Sequence, residues 1–340
     1  MDQLPGLDLA ALRRHMEQVM ERPPAGNLTG HLIDGGRSNL TYSVTDGLRR
    51  WVVRRPPRGP VPNHAHDVGR ESRLMAALAP SAVPVPEVVL TCSESSVIGA
   101  PFYVMEHVVG VAIRSREDFI ELTALQRGCV AGDLVDTLAK LHTIEPADVG
   151  LERLGRPQGY LERQIARWTH QYHGISSRNS SAVESLATSL SKTMPTHQRH
   201  AIVHGDYRLD NVLVDPAAGE HPITSVLDWE MATLGDPLVD LGSLISCWDE
   251  EGRPHHPITQ GLMTLPGVPS PAEALERYAK MSGNDVDEIE WYITFNLFKL
   301  AIVLEQIHAR DIRGETIGYG ANGVGDLALR VLDQALATRP

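Results

Sequence analysis

The sequence predicts an α+β protein with two lobes, a small antiparallel β lobe at residues 1–108 and a larger, mainly helical lobe at 109–340. Several short apolar runs of strand length lie between residues 28 and 106, and the Asp46-Gly47 pair between two of them is a strong hairpin signal. Beyond about residue 110, the apolar residues recur at helical spacing. The pattern therefore changes from strand to helix near the predicted lobe boundary.

Two helices accompany the strands of the first lobe. Asp67 precedes the second of these helices as its predicted N-cap, and Pro80 stands just past its end. The predicted helices cover 7–20 and 67–79, and the predicted strands cover 28–34, 39–45, 49–55, 85–92 and 101–106.

Helices dominate the second lobe, and three short apolar runs interrupt them. Apolar spacing predicts helices at 116–124, 129–143, 158–174, 181–193, 237–247, 271–281, 287–310 and 324–337. The interrupting runs lie at 201–203, 211–214 and 223–227.

Composition argues against several classes of partner. The 340 residues are 42% hydrophobic, as in an ordinary globular protein, and carry a formal net charge of −12. We expect no nucleic-acid partner, because such a surface would repel phosphates. The three cysteines lie far apart, which favours reduced thiols over a disulfide framework or a zinc site. We recognise no signal peptide and no membrane span, so we expect a cytoplasmic protein. The oligomeric state is not predicted.

The most specific motif is His204-Gly205-Asp206-Tyr207-Arg208-Leu209-Asp210-Asn211, which has the His-x-Asp-x4-Asn spacing of kinase catalytic loops. A carboxylate at Asp206 can accept the proton of an attacking hydroxyl. An amide five residues later can reach a magnesium ion on nucleotide phosphates. We therefore predict Asp206 as the catalytic carboxylate and Asn211 as a metal ligand.

A second carboxylate follows at a suitable distance. Asp228 lies 17 residues after Asn211, at the end of the apolar Val226-Leu227 run and just before Trp229. A carboxylate at such a strand end can chelate magnesium that bridges nucleotide phosphates. We predict Asp228 as a second metal ligand. The alternative is a turn in which Asp and Asn serve only as caps.

A glycine-containing turn separates the first two strands. The segment Gly35-Gly36-Arg37-Ser38-Asn39 would let backbone N–H groups approach phosphates. We predict nucleotide contacts for four of its residues, namely Gly35, Gly36, Ser38 and Asn39. An ordinary hairpin turn is the alternative.

The third strand supplies two more candidates. Side-chain alternation puts Val52 under the adenine and Arg54 on the same face, toward the α- and β-phosphates. Arg55 points the other way, and we expect it to be solvated. Glu71, on the following helix, is the natural partner of Arg54, because a carboxylate matches a guanidinium fork. A solvated helix charge is the alternative for Glu71.

Two segments complete the set of candidates. Tyr103 to Val108 is the predicted hinge, where adenine would bond the backbone of Glu106 and Val108 with Met105 behind it. Asp240 is expected to brace the catalytic loop or, alternatively, to be a first-turn carboxylate favoured by the helix dipole.

Together these motifs resemble the aminoglycoside phosphotransferase family of small-molecule kinases, over about residues 25–335. A narrower subgroup is more similar still: the kinase-like domain joined to certain acyl-CoA dehydrogenases, with its freestanding bacterial relatives. The subgroup is indicated by the segments Val53-Arg54-Arg55-Pro56-Pro57, Val83-Pro84-Val85-Pro86, Gly159-Tyr160-Leu161-Glu162-Arg163-Gln164, Asp228-Trp229-Glu230-Met231-Ala232 and Phe295-Asn296-Leu297-Phe298-Lys299-Leu300.

The resemblance implies a two-lobed protein-kinase-like fold with ATP in the cleft. It assigns Asp206 as the base, Asn211 and Asp228 as Mg²⁺ ligands, and the Gly35–Asn39 turn to the phosphates. The chain departs from most of the wider family in having Arg54 where a lysine is usual, although the subgroup also has arginine there.

We therefore expect an ATP- and Mg²⁺-dependent phosphotransferase that acts on a hydroxyl of a small molecule. An antibiotic kinase and a catalytically silent kinase fold are the alternatives. Trp291 and Phe295 follow helical spacing with Lys299 beside them, which predicts an acceptor wall on helix 287–310. Core packing is the alternative for this face. An aromatic wall with a positive charge favours a lipophilic acceptor, such as a hydroxyacyl-CoA or hydroxy acid, over a polycationic aminoglycoside.

Overall fold

The structure is a computed structural model that describes residues 4–33, 39–57, 67–175, 181–196, 199–250, 256, 259, 261–314 and 323–338. Its helices are α1 (Leu9–Val19), α2 (Val68–Leu78), α3 (Ser95–Ile98), α4 (Arg116–Ile120), α5 (Ala124–Thr143), α6 (Tyr160–Ile175), α7 (Ser181–Lys192), α8 (Leu238–Ser246), α9 (Pro271–Ser282), α10 (Ile289–Ile312) and α11 (Val324–Ala337). Its strands are β1 (Thr29–Leu32), β2 (Leu40–Thr45), β3 (Arg50–Arg55), β4 (Val88–Cys92), β5 (Phe102–Glu106), β6 (Ala201–Val203), β7 (Val212–Val214), β8 (Ile223–Val226) and β9 (Thr233–Gly235).

The chain forms two compact units. The first comprises Met1–Val111, Val212–Asp215 and Thr224–Met231, and the second comprises Ala112–Asn211, Pro216–Ile223 and Ala232–Pro340. The predicted lobe boundary at residue 108 stays a prediction. The later segments Val212–Asp215 and Thr224–Met231 belong to the β-rich unit, and the second of them contains Asp228.

The first unit is built on a five-stranded antiparallel sheet in the order β1-β2-β3-β5-β4. The Asp46-Gly47 pair joins β2 to β3, as predicted. Gly47 has a φ of 93°, which glycine adopts without a steric penalty. The Asp46 carboxylate accepts hydrogen bonds from the backbone N–H groups of Leu48 and Arg49 at 2.9 and 2.7 Å. This turn sets the register of β3, and therefore the face on which Arg54 lies.

The two faces of the sheet have different chemistry. Tyr42, Trp51 and Val53 belong to the apolar cluster into which α1 packs with Leu12 and Met16. Burial of these side chains is the main favourable contribution to the stability of this unit. Helix α2 lies against β4 and β5, and it carries Glu71, which pairs with the opposite face of β3.

Arg55 corrects one expectation. It points away from Arg54, as alternation requires, but it is only 6% exposed. Its guanidinium donates hydrogen bonds to the backbone carbonyls of Gly6, Pro56 and Ile98. The prediction that Arg55 is solvated was therefore wrong, because backbone carbonyls, two of them from distant parts of the chain, satisfy its donors in place of water.

The second unit is mainly helical and has α10 at its centre. This helix packs against α6, α7, α8 and α11, while α5 packs against α9 and the short strand β6. Residues on several sides of α10 are buried, as expected for a central helix. Strand β6 pairs antiparallel with β9 through Ala201–Gly235 and Val203–Thr233, and it leads directly into the predicted catalytic loop.

The predicted elements match the observed ones apart from short segments. Helix α3 and strand β9 were missed, because elements of three or four residues carry too little periodicity to be recognised. The predicted helix 116–124 ends earlier, at Ile120, and α5 begins at Ala124, where Thr123 forms a capping box with Gln126. Within the described residues, no helix is long and apolar enough to cross a membrane.

Candidate active site

Arg54 is the centre of an ionic cluster in the first unit. Its Nη1 lies 3.0 Å from Glu71 Oε1, and its Nη2 lies 2.8 Å from Asp228 Oδ1 and 3.6 Å from Glu230 Oε2. The Arg54 side chain is 12% exposed and that of Glu71 only 2%. The predicted pairing of Arg54 with Glu71 is therefore confirmed, and the predicted metal ligand Asp228 joins the same pair.

Burial and charge oppose each other in this cluster. Burial raises the pKa of Glu71 to about 7, and the neighbouring carboxylates of Asp228 and Glu230 add to this effect against the attraction of Arg54. Burial alone would lower the pKa of Arg54, but Glu71 and Asp228 hold it above its ordinary value. Three carboxylates thus surround one guanidinium, which leaves an excess of negative charge when all are ionised.

Asp228 has an unusual backbone conformation. Its φ of 63° lies in the left-handed region, which non-glycine residues rarely adopt. The neighbouring Trp229 is completely buried and donates its indole N–H to the carbonyl of Val226 at 3.0 Å. This anchored tryptophan and the bond from Arg54 hold Asp228 in place. Strain of this kind is concentrated at functional positions.

The predicted adenine-contacting residues come together on the sheet. Val52 and Met105 are direct cross-strand partners in the β3–β5 pair, and they are 8% and 7% exposed. The N–H of Glu106 donates to the carbonyl of Glu87 at 2.9 Å, so the backbone group it can offer a nucleotide is its carbonyl. Val108 follows the strand and is half-buried. These contacts suit a flat apolar ligand edged by backbone polar groups, but the adenine assignment stays a prediction.

Only one residue of the predicted phosphate turn can be placed. Gly35, Gly36 and Ser38 lie outside the described residues. Asn39 immediately precedes β2 and is 1% exposed. Among the residues that the structure describes, neither its amide nitrogen nor its amide oxygen has a hydrogen-bond partner.

The predicted catalytic loop holds Asp206 from two sides. Arg208 Nε lies 3.2 Å from Asp206 Oδ1, and Asn211 Nδ2 donates to Asp206 Oδ2 at 3.1 Å. Asn211 also donates to the Asp206 backbone carbonyl at 2.8 Å. The Asp206 side chain remains 34% exposed. An ionised carboxylate has about four acceptor positions, so lone pairs remain available for an acceptor hydroxyl.

A buried carboxylate holds the start of this loop. Asp240 Oδ2 accepts a hydrogen bond from the N–H of His204 at 2.5 Å, and its Oδ1 accepts one from the N–H of Gly205 at 2.8 Å. The predicted bracing role of Asp240 is thus confirmed. Burial alone would raise the pKa of Asp240, but the hydrogen bond and charge of His142 hold it below the usual range.

His142 is a positioning residue that the sequence did not reveal. Its Nε2 lies 3.4 Å from Asp240 Oδ2, and its Nδ1 lies 2.7 Å from the hydroxyl of Tyr278. Asn284 donates in turn to that hydroxyl at 3.1 Å. A single histidine in the last turn of an apolar helix was the available signal, but only the fold shows that it faces Asp240.

Lys299 has a different partner from the one expected at an acceptor wall. Its Nζ donates to the backbone carbonyl of Gly205 at 2.8 Å and lies 5.7 Å from the ring centre of Trp168. Burial lowers the pKa of Lys299, while the charges of Asp206 and Asp240 act in the opposite direction. Lys299 therefore reaches the catalytic loop from α10 and can orient the peptide that precedes Asp206.

The other two acceptor candidates lie in the interior of the second unit. Trp291 and Phe295 are 3% and 1% exposed, and their rings stack with centres 5.6 Å apart. The Trp291 indole N–H donates to the carbonyl of Leu190 at 3.1 Å. This environment favours the alternative of core packing for both residues.

Each unit, taken by itself, offers an oxygen donor of the kind that magnesium prefers. Because the Asn211 amide nitrogen is used by Asp206, the remaining Oδ1 is a potential metal ligand. Asp228 contributes carboxylate oxygens, of which Arg54 contacts one. Carboxylate and amide oxygens are the ligands that a hard divalent cation prefers.

The chain is similar to known proteins over most of its length. A family model described as the phosphotransferase enzyme family matches residues 29–292. Among curated proteins, the chain is 32% identical to acyl-CoA dehydrogenase family member 10 of Mus musculus over 93% of its own length. It is 34% identical to acyl-CoA dehydrogenase family member 11 of Rattus norvegicus over 98% of its own length. The chain spans only 30% and 44% of these two relatives.

Solved structures show the same fold. A protein from Ralstonia eutropha JMP134, assigned as an aminoglycoside phosphotransferase, superposes with a TM-score of 0.85 at 30% identity, covering 98% of each chain. A spectinomycin phosphotransferase in complex with ADP and spectinomycin gives a TM-score of 0.63 at 13% identity over 98% of each chain. An aminoglycoside 2'-phosphotransferase bound to GDP gives 0.62 at 16% identity over 96% of this chain and 97% of that one. The predicted α+β, kinase-like fold is confirmed.

The ionic cluster predicts coupled losses. Arg54→Ala and Glu71→Ala should each weaken ATP binding, and the double variant should lose less than the sum, with a coupling energy of about 0.5–3 kcal/mol. Calorimetric titration with ATP measures this. Arg50→Ala, at the exposed start of the same strand, is the matched control and should bind normally. Strictly additive losses would show that the two side chains are not coupled.

The contact of Lys299 with the catalytic loop predicts a loss of turnover without a loss of nucleotide affinity. Lys299→Met leaves the Gly205 carbonyl without its donor, and small misplacements of a catalytic group can cost on the order of 100-fold in rate. The unfolding temperature should change little, because the variant also removes a partly buried charge. Lys280→Met, exposed on α9, is the control. A parallel fall in turnover and unfolding temperature would indicate a merely structural lysine.

Proposed function

Since the chain belongs to the phosphotransferase enzyme family, we propose that it transfers the γ-phosphoryl group of ATP to a hydroxyl of a small molecule, with magnesium as the required metal. The observation that carries this proposal is the geometry around Asp206. Its carboxylate is held by Arg208 and Asn211, in a loop that Asp240 fixes, and it is still exposed to an acceptor.

In the proposed reaction Asp206 orients the acceptor hydroxyl and accepts its proton. The hydroxyl oxygen forms a bond to the γ-phosphorus as the bond between that phosphorus and the β,γ-bridging oxygen breaks, and ADP leaves with the electron pair. Arg208 and Asn211 keep the Asp206 carboxylate in position throughout. Lys299 and Asp240 hold the backbone on which Asp206 is mounted.

Arg54, Asp228 and Asn211 have the proposed roles on the nucleotide side. Arg54 binds the α- and β-phosphates and is oriented by Glu71. Asp228 and Asn211 would hold magnesium, which when bound neutralises charge on the phosphates. Val52 and Met105 enclose the adenine, the backbone of Glu106 and Val108 bonds its edge, and the Gly35–Asn39 turn covers the phosphates.

For the acceptor, we propose a hydroxyacyl-CoA or a hydroxy acid. The support is the similarity to proteins named as acyl-CoA dehydrogenase family members. Their whole-protein activities do not pass to this chain, which matches less than half of their length. Structural neighbours bind spectinomycin or kanamycin, so antibiotics serve as comparison acceptors in any screen.

The proposal predicts a selective loss in Asp206→Asn. Turnover should fall by roughly 10²- to 10⁴-fold, the usual contribution of a general base, while ATP affinity stays close to that of the wild type. Single-turnover measurements with the best acceptor from an ATP-consumption screen give the rate. Asp210→Asn is the matched control, because it also removes a carboxylate partner of Arg208, and it should lose far less. A wild-type rate in Asp206→Asn would exclude Asp206 as the base.

The metal assignment predicts a magnesium-specific defect. Asp228→Ala removes a carboxylate from a cation that prefers oxygen ligands, so it should weaken the binding of Mg·ATP far more than that of metal-free ATP. Calorimetry with magnesium and with EDTA separates the two. Equal losses in both conditions would point to a damaged fold.

A further inference from the structure

Positive side chains gather beside the proposed base in the second unit. Lys299 Nζ donates to the carbonyl of Gly205, the residue before Asp206, at 2.8 Å. Arg208 Nε lies 3.2 Å from Asp206 Oδ1. Arg167, which is exposed on α6, is close enough for its charge to act on the Lys299 ammonium, as the charge of Asp206 also does. Two cations therefore contact the loop that carries Asp206, and a third acts on one of them.

The indole ring of Trp168 relates Arg167 to Lys299. Lys299 Nζ lies 5.7 Å from the centre of this ring and Arg167 Cζ lies 5.5 Å from it. Both distances are within the range of cation–π attraction, and Trp168 is only 5% exposed, so the interior of the unit holds its ring. Helix α6 is also joined to α10 by the hydrogen bond from Gln306 Nε2 to Gln171 Oε1 at 3.2 Å. Arg167 is therefore presented from a helix that is fixed against the helix of Lys299.

The three cations differ in their partners. Arg208 is paired with the carboxylates of Asp206 and Asp210. Lys299 donates to a neutral carbonyl instead, and among the described residues neither Lys299 nor Arg167 forms an ion pair with a carboxylate. Burial lowers the pKa of Lys299, because its charged form has lost part of its hydration. An anionic ligand would supply the counter-charge that these two cations lack.

The net charge of the chain limits where an anion can bind. A formal charge of −12 repels anions from most of the surface, so an anionic ligand is favoured only where cations gather locally. Lys299 and Arg167 form such a place, and Lys299 holds the peptide that precedes Asp206. An anion bound by these two cations would keep the rest of the same molecule close to the proposed base.

We propose that Lys299 and Arg167 bind a negatively charged group of the phosphate acceptor, and that Arg167 determines the preference for an anionic acceptor. This inference rests on the proposed function and adds a specificity-determining residue to it. The anion is the carboxylate of a free hydroxy acid or a phosphate of a coenzyme A thioester, since a guanidinium binds both. The transfer step is unchanged: the acceptor oxygen gains the phosphoryl group, ADP leaves, and Asp206 takes the proton.

The test is the dependence of kcat and KM on acceptor charge. The full chain is assayed with hydroxybutanoate and hydroxyhexanoate against their methyl esters, and with the coenzyme A thioesters of both against their pantetheine thioesters. Arg167→Gln should raise KM for the charged acceptors by roughly 10- to 100-fold, as expected for a lost hydrogen bond to a charged group. The kcat values and KM for the uncharged counterparts should stay near those of the wild type. Arg167→Lys keeps the charge and should restore part of the affinity. Arg330→Gln, exposed on α11, is the matched control and should change neither constant.

The outcomes separate this inference from the proposed function. A rise in KM confined to the free acids would identify the carboxylate as the bound anion, and one confined to the coenzyme A thioesters would identify their phosphates. Turnover with equal effects of Arg167→Gln on charged and uncharged acceptors, or with no effect on either, would overturn the inference and leave phosphotransfer intact. So would weaker ATP binding by Arg167→Gln in calorimetry, because it would assign Arg167 to the nucleotide. If the wild type phosphorylated no hydroxyl compound, the proposed function and this inference would fail together.

Discussion

The predicted catalytic loop depends on one buried carboxylate, Asp240. A completely buried charge is costly unless it is paired and hydrogen-bonded. Asp240 meets this condition by accepting the N–H groups of His204 and Gly205 and by lying 3.4 Å from His142. Two consecutive backbone N–H groups bound to one carboxylate leave the chain little freedom at this point. Gly205 has a φ of 84°, a conformation that glycine adopts readily, and it turns the chain directly into Asp206.

Arg54 connects two separate carboxylates of the first unit. The shape of its guanidinium explains why arginine suits this position better than lysine. The two terminal nitrogens of its guanidinium contact different carboxylates, with Nη1 at Glu71 and Nη2 at Asp228. The ammonium group of a lysine is a compact point charge without this fixed fork. Arginine can therefore connect α2 to the segment that follows β8 within the first unit, and its departure from the usual lysine is compatible with an ordered site.

Sequence reasoning could propose those parts of the candidate site that depend on local pattern. Strand alternation placed Val52 and Arg54 on one face, and motif spacing selected Asp206, Asn211 and Asp228. Sequence reasoning did not predict the interactions between segments that are far apart in sequence. Arg55 donates hydrogen bonds to the carbonyls of Gly6 and Ile98, and Lys299 donates one to the carbonyl of Gly205. No sequence pattern near either side chain predicts these bonds.

The apolar stripe on the predicted helix 287–310 is a second case in which sequence pattern alone could not decide the environment of the side chains. A stripe of aromatic residues at helical spacing is compatible with a ligand wall or with a core, since both bury the same surface. Which one forms depends on whether other helices cover the stripe. In this chain α10 packs against four neighbours, and the stacked Trp291 and Phe295 lie among them.

Acceptor choice must come from individual side chains, because the fold is shared by proteins with different ligands. The fold is common to proteins of 13–16% identity whose bound ligands include spectinomycin and kanamycin, so the fold alone does not select the acceptor. A polycationic acceptor requires unpaired carboxylates near the base, because each of its ammonium groups must exchange water for a partner. Among the described residues near Asp206, Leu209, Leu244 and Met263 are apolar, and the carboxylate of Asp210 is already paired with Arg208. The proposed hydroxyacyl-CoA or hydroxy acid acceptor agrees with this chemistry, because an amino sugar would leave its charges without partners among these residues.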